Sequence, residues 1–344
     1  MKRIYAATGD DFAVLTPAEG VTGGPAGGVP HGPGGAAAPL DWEVSVTLKG
    51  VGVQCLAVDP ADPETVYAGC AGHGIYKSTD GGVTWVALEF PEKDVFSVAV
   101  SPADGAVYAG CEPSKLFRSA DGGGSWTELA ALRSIPSAPT WSFPPRPWTS
   151  HVRWIAPDPR EPRRLLVGIE LGGVMLTEDG GATWRDHPPQ AVKDCHTVIW
   201  HPAAPGRAYE AGGGGAAWSR DGGVRWDRAE RGLDQWYAWA VAADPKDPDR
   251  WYVSACPGPG KAHGSGNAEA HIYRWEGEGP WVKIGAGLES PLRSMPYALV
   301  ATEAGLLAGF RDGRIACGED RGERWTLLSL AGDPLDCVYA MAVV

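Results

Sequence analysis

The chain has 344 residues, 48 of them glycine and 30 proline, and a net charge of −12. A protein this acidic carries no electrostatic footprint for nucleic acid or for an anionic membrane. Its seven cysteines are scattered, odd in number and without a CxxC pair, which excludes a disulfide framework or structural zinc and predicts buried thiols in a reducing, cytoplasmic setting.

The first residues, 1–9, lack an apolar leader core and read as a strand, and no run reaches the length of a membrane span. Residues 3–8, 12–16 and 42–46 predict three strands. The Gly/Pro/Ala-rich stretch 17–40 between them predicts a mobile hairpin tip. The first complete unit follows. Residues 53–58 form a strand, and the Asp-Pro segment 59–64 turns because proline fixes φ and aspartate accepts local backbone bonds. Strands 65–69 and 74–78 come next, then a tight turn at Asp80, Gly81 and Gly82, and Trp85 opens a fourth strand. Such a four-stranded meander of about 42 residues is the size of one propeller blade.

The octapeptide that ends this unit, STDGGVTW at 78–85, is a repeat. It returns as SADGGGSW at 119–126, TEDGGATW at 177–184, SRDGGVRW at 219–226 and, worn, as GEDRGERW at 318–325. Its fixed points are Asp80 and Trp85, Asp121 and Trp126, Asp179 and Trp184, Asp221 and Trp226, and Asp320 and Trp325. A fifth unit has lost the octapeptide but keeps Trp281 at its end. The segment 337–343 reads as a first strand with nothing after it, and the N-terminal strands lack a first strand. The expectation is therefore an all-β, single-domain, seven-bladed propeller over residues 1–344, closed by N- and C-terminal strands that share one blade.

In a meander of this kind, the loops after second strands lie on the same face as the links between blades. The Asp-Pro turns and octapeptide turns lie on the other. Two long insertions, 128–150 and 255–271, fall on the first face, which makes it the expected ligand face. Aligning the inner strands puts Gln54, Phe96, Arg153, His196 and Trp239 at one register, with Pro296 or Tyr297 and Val338 or Tyr339 completing it. His151, Asp194, Tyr237 and Arg293 fall near the same mouth, and Glu170 and Arg311 on nearby loops. Convergent polar and aromatic groups in one concavity are the default binding-site expectation.

The octapeptide itself predicts structure. Its Asp and Ser/Thr can bond backbone groups in the turn, and its Trp can fill the wedge between blades. With the Asp-Pro segments and the Tyr-Ala-Gly strands such as Tyr67–Gly69, it makes the chain resemble the Asp-box, or BNR, sialidase-type repeat proteins. Relatives with this repeat include sialidases, two-domain xyloglucanases, sortilin-type receptors and a photosystem II assembly factor. The chain is most similar to bacterial single-domain glycosyl-hydrolase-like members of unassigned reaction. The resemblance implies that the octapeptides lie away from the ligand face. Sialidase chemistry resembles an arginine triad with a Tyr/Glu nucleophile pair and an acid/base Asp. Arg153, Arg293, Arg311, Tyr297 and Glu170 offer the residue types, but the early Arg-Ile-Pro element is absent, so true sialidase activity is not expected.

A paired-carboxylate glycosidase needs two acids roughly 5–9.5 Å apart. Glu170 is the best single candidate because it interrupts an apolar, glycine-flanked strand end. Asp94, Asp194, Asp234 and Asp336 recur just before inner strands, a pattern that reads as a turn device rather than four catalytic acids. His151, His196, His263 and His271 map to the mouth or its insertions, and a histidine there suits general-base work near neutral pH. No HxH or HExxH spacing supports a metal, so no cofactor is expected and a metal at the His/Glu cluster is the lesser reading. The glycine run 212–215 is not a phosphate loop, since no Lys-Ser/Thr follows it. The sequence thus predicts a small polar, anionic or sugar-like ligand held by Arg153, His151, Trp239, Tyr297, Arg311, His263 and His271. Glu170 and His196 would act as catalytic residues if it is a hydrolase or lyase. The alternative is a scaffold or assembly factor that binds a protein partner through Trp141 and Trp148 in the 128–150 insertion.

Overall fold

Strand pairing in a computed structural model, which describes residues 3–18, 41–144, 149–264 and 266–344, gives an all-β propeller built of antiparallel meanders. Among these residues, no helix is long and apolar enough to cross a membrane. The predicted hairpin tip falls almost wholly on residues 19–40, and Trp148 also lies outside the described residues.

The ring of seven separate four-stranded blades is not what the strands make. They form five propeller sheets and one mixed sheet. The sheets that begin at Val53–Val58, Val95–Val100 and Pro296–Thr302 have four strands each, but the sheet that begins at Val152–Pro157 stops at three. Two predicted blades, from Asp194–Trp200 and from Tyr237–Ala243, are fused into one eight-stranded sheet through the pair Gly213↔Tyr237. The glycine run explains the fusion: without side chains at residues 212–215, the end of Ala208–Gly213 lets the Tyr237 backbone come alongside. The sixth sheet gathers both chain ends. Ile4–Ala7 pairs antiparallel with Ala340–Val343, and Ser329–Gly332 adds as a parallel strand on Asp41–Thr47. The tryptophan spacing counts hairpins and is blind to such lateral joins.

The repeated octapeptides do form tight turns. At the first, the Ser78 hydroxyl donates to Asp80 at 2.7 Å and accepts from the Gly82 amide at 2.8 Å, and Asp80 accepts from the Thr84 amide at 2.9 Å. The arrangement repeats around Asp121, Asp179 and Asp221. Local hydrogen bonds hold the Asp80, Asp121 and Asp179 carboxyls at about 2. Trp85 lies edge-on to Phe12 of the mixed sheet at 4.6 Å, and Trp126 lies edge-on to Phe90 at 4.9 Å. The worn copy has Gly318 where the others carry a hydroxyl, and its turn is a short 3-10 segment with Arg321 at φ 63°. Only the Trp325 indole keeps the motif's bond, to the Gly322 carbonyl at 2.7 Å.

The core is a series of apolar clusters between neighbouring sheets rather than one centre. All seven cysteines are unpaired and buried within them. Burial pushes the Cys70 and Cys337 thiols up to about 12.

Candidate functional site

Six inner strands share one irregularity. The ladder slips between Val53 and Cys55, Val95 and Ser97, Val152 and Trp154, Cys195 and Thr197, Ala238 and Val241, and Pro296 and Ala298. The positions the ladder skips are Gln54, Phe96, Arg153, His196, Trp239 with Ala240, and Tyr297. A bulge leaves its extra residue unpaired and re-aims the side chain. The register read from the sequence is thus a ring of bulges around the central axis.

These side chains close on one another. The Arg153 guanidinium lies 4.8 Å from the centre of the Trp239 ring. Trp239 also meets His196 at 4.5 Å, His263 at 4.8 Å and Tyr297 at 5.1 Å. The cavity between Gln54, Phe96, Arg153, Trp239, Tyr297 and Tyr339 is small, about 70 Å³. A wider cavity of about 350 Å³ follows along the inner strands, lined by apolar side chains such as Leu56, Ile199, Leu299 and Met341.

The mouth itself is polar. His151 stacks on Phe96 at 4.0 Å, and its Nε2 meets Glu170 Oε2 at 2.7 Å. Arg153 Nε lies 3.6 Å from the same oxygen. Burial works to raise the Glu170 pKa, but the His151 hydrogen bond and the Arg153 and His196 charges outweigh it and hold the carboxyl at about 2. Glu170 is therefore ionised at neutral pH. The His196 Nδ1 contacts the Ala238 carbonyl at 2.7 Å. A carbonyl only accepts, so this nitrogen carries the proton. His196 Nε2 is buried without a hydrogen-bond partner, 3.5 Å from Asp194 Oδ2.

Ala262, His263 and Gly264 of the 255–271 insertion lie against this mouth. The Tyr237 hydroxyl meets His263 Nε2 at 2.8 Å, His263 Nδ1 meets the Tyr297 hydroxyl at 2.7 Å, and the Tyr297 hydroxyl donates to the Ala262 carbonyl at 3.1 Å. One direction of donation satisfies the whole chain: Tyr237 to His263, His263 to Tyr297, Tyr297 to the backbone. It requires a neutral imidazole, and desolvation together with the nearby His196 pulls the His263 pKa down accordingly. Burial, then the Glu170 and Asp194 charges, pushes the Tyr237 phenol far up, so it remains a donor. Arg311 ties the insertion down through the Gly264 carbonyl at 3.0 Å.

Of the candidates from the sequence, Arg153, Trp239, His151, Glu170, His196, Tyr297 and His263 come together, and Arg311 stands at the rim. His271 does not join them. It lies on the strand His271–Glu276, beside Tyr273 and a surface cavity of about 270 Å³ with Lys283. Trp141 is 8% exposed, with its indole bonded to the Ser137 hydroxyl at 3.0 Å, so it is a core residue rather than a docking aromatic. Asp194 carries more than its sequence reading allowed. Asp94 accepts from the Gly72 amide at 2.9 Å, and Asp234 accepts from Tyr273 and Lys283. The Asp194 carboxylate accepts no hydrogen bond among the described residues and faces His196 instead. Its recurrence in the chain hid that difference.

No family model and no curated protein matches the chain. Solved structures do resemble it. An ancestral GH74 enzyme matches with a TM-score of 0.63 at 19% identity, over 80% of this chain and 38% of that one. The GH74 xyloglucanase from Xanthomonas campestris matches at 0.54 and 17% identity, over 83% of this chain and 54% of that one. YCF48 bound to D1 peptide matches at 0.54 and 17% identity, over 80% of this chain and 81% of that one. The chain thus spans 38% of the length of that ancestral GH74 enzyme. At such identities the likeness defines the class of fold, a β-propeller, and nothing finer.

Proposed function

We propose that this propeller binds a small polar ligand with an anionic group at the mouth of its channel, and that Arg153 is the anchor. The observation that carries the reading is the state of Arg153. Its guanidinium carbon lies 4.8 Å from the centre of the Trp239 ring and its Nε 3.6 Å from Glu170, and it makes no hydrogen bond among the described residues. A guanidinium fixed in place with unused donors is suited to a carboxylate or sugar-acid group. Tyr237, His263 and Tyr297 supply a polar aromatic wall beside it. The turns around Asp80, Asp121, Asp179 and Asp221 support assignment of the chain to the Asp-box propellers, with those turns as structural devices. The seven unpaired buried thiols suit a cytoplasmic setting.

The geometry favours binding, or chemistry that needs a base, over glycosidase-type proton donation. A glycosidase acid needs a raised pKa, whereas Glu170 is held at about 2. A hydrolase or lyase role stays open to an ionised Glu170 acting on an acidic proton. The scaffold alternative draws on the peptide-bound YCF48 fold, but burial of Trp141 removes one of the two aromatics meant to serve it.

The test is calorimetric titration with a panel of small sugar acids and carboxylates. Arg153→Ala is expected to weaken any binding at least about tenfold, roughly 1.4 kcal/mol. Arg153→Lys should fall between the two, because it keeps the charge and loses the fork. A ligand bound equally by wild type and Arg153→Ala would sink the placement.

A further inference from the structure

We propose that Glu170, Asp194 and His196 form a binding site for one transition-series divalent cation, with zinc and manganese the fitting probes. One oxygen of each carboxylate and one nitrogen of His196 all lie within 4.8 Å of one another. Ligand atoms that share a zinc ion at roughly 2.0–2.2 Å sit roughly 3.0–3.5 Å apart. Asp194 Oδ2 and His196 Nε2, 3.5 Å apart, already have that spacing. Drawing Glu170 in from a separation of at most 4.8 Å to that spacing is within reach of side-chain rotation.

The independent observation is the state of His196. Its side chain is fully buried, and Nε2 has no hydrogen-bond partner. Leaving a buried polar group unmet costs about 1–3 kcal/mol, so native structures seldom do it without a reason. The Ala238 carbonyl holds a proton on Nδ1, so Nε2, 3.5 Å from Asp194 Oδ2, is the nitrogen left to take a metal. This is the orientation of metal-bound imidazoles, whose other nitrogen donates to a carbonyl or carboxylate. Glu170 has a matching support, since His151 bonds one of its oxygens at 2.7 Å and leaves the other available. Asp194 has no competing bond among the described residues.

The nitrogen ligand sets the class of metal. Calcium and magnesium favour all-oxygen shells, whereas mixed imidazole and carboxylate shells suit zinc, manganese or iron. Three protein ligands leave positions for water or a bound group, and Arg153 stands next to Glu170. Two carboxylates, a dication and one guanidinium sum to a net positive site, which would draw the same anionic ligand.

The test uses the full chain, stripped with chelator, reloaded separately with zinc and manganese, desalted, and analysed for metal content and thermal midpoint. Wild type is expected to retain a near-equimolar amount of at least one metal and to melt higher with it. Asp194→Asn, at a partly exposed position, and His196→Gln should each bind at least about tenfold more weakly. Both are to be checked for folding by circular dichroism. Cobalt substituted for zinc should give visible absorption bands that Asp194→Asn abolishes. Arg153→Ala should keep the metal, which separates this inference from the anion-binding reading. Failure of wild type to retain either metal, or equal retention by a folded Asp194→Asn, would overturn it.

Discussion

At the scale of single residues, buried titratable groups do opposite things within a short stretch of chain. Glu170 is buried but ionised, because His151 and Arg153 face it. Glu210 is buried without a cation in contact. Desolvation raises its pKa to about 8, although its Oε2 accepts from the Val192 amide at 2.8 Å. Its Oε1 has no partner. An acid whose folded pKa lies above its unfolded value binds its proton more tightly when folded. That contribution is complete below the ordinary glutamate value of 4.5 and is lost as pH rises through about 8. The loss amounts to several kcal/mol at most, of which about 1–3 kcal/mol is a realistic share. Glu210→Gln is expected to flatten the fall in thermal midpoint between pH 6 and 9 and to melt above wild type at the alkaline end. An unchanged slope would show that Glu210 ionises freely. The local sequence does not foretell the difference, since Glu210 lies within an apolar, glycine-rich strand and Glu170 directly follows one. The difference lies in what another strand brings opposite each one.

At the scale of elements, the octapeptide turn and the inner-strand bulge divide the work. The turn is a local device, so its chemistry was legible in the residues. Ser78→Ala removes the hydroxyl that serves both Asp80 and the Gly82 amide, and it should cost about 1–2 kcal/mol, read as a lowered thermal midpoint. Asp320→Asn, in the copy without that hydroxyl, should change stability by less than about 0.5 kcal/mol. If the two variants melt alike, the hydrogen-bonded turn is not what matters. The bulge is different. Its positions could be aligned from the sequence, but the register slip that turns Arg153 and His196 toward the axis depends on pairing with the second strand. Gly213 links the two kinds of element. A Cβ there would collide with the Asp194 carboxylate, so Gly213→Ala should displace Asp194 and weaken metal retention while the sheet survives. Undiminished retention would mean that Asp194 is not held by this approach.

At the scale of the whole molecule, the repeat marked local turns and misjudged how the strands join. Fusion at Gly213↔Tyr237, a third sheet of only three strands and the added parallel strand Ser329–Gly332 all depend on lateral hydrogen bonds between segments. A motif period carries no information about those bonds. The pairing of Ile4–Ala7 with Ala340–Val343 gives the chain ends a structural role. Deleting residues 340–344 should expose an unpaired edge, lower the thermal midpoint and promote association, measured by scanning calorimetry and light scattering. A truncated chain that melts like wild type and stays monodisperse would show that this pairing is dispensable.

What the sequence determined by itself is what short-range chemistry controls. That covers the β meanders, the Asp-Gly turns, the aromatic wedges and the polar register at the channel mouth, each set by residues a few positions apart. Only the tertiary structure decided how the hairpins are grouped into sheets, that Trp141 is buried, and that His271 stands apart from the mouth. It also decided that Asp194, one of four similar aspartates, meets Glu170 and His196. Those outcomes depend on which strands lie side by side, and that is a matter of lateral hydrogen bonding and burial between segments far apart in the chain.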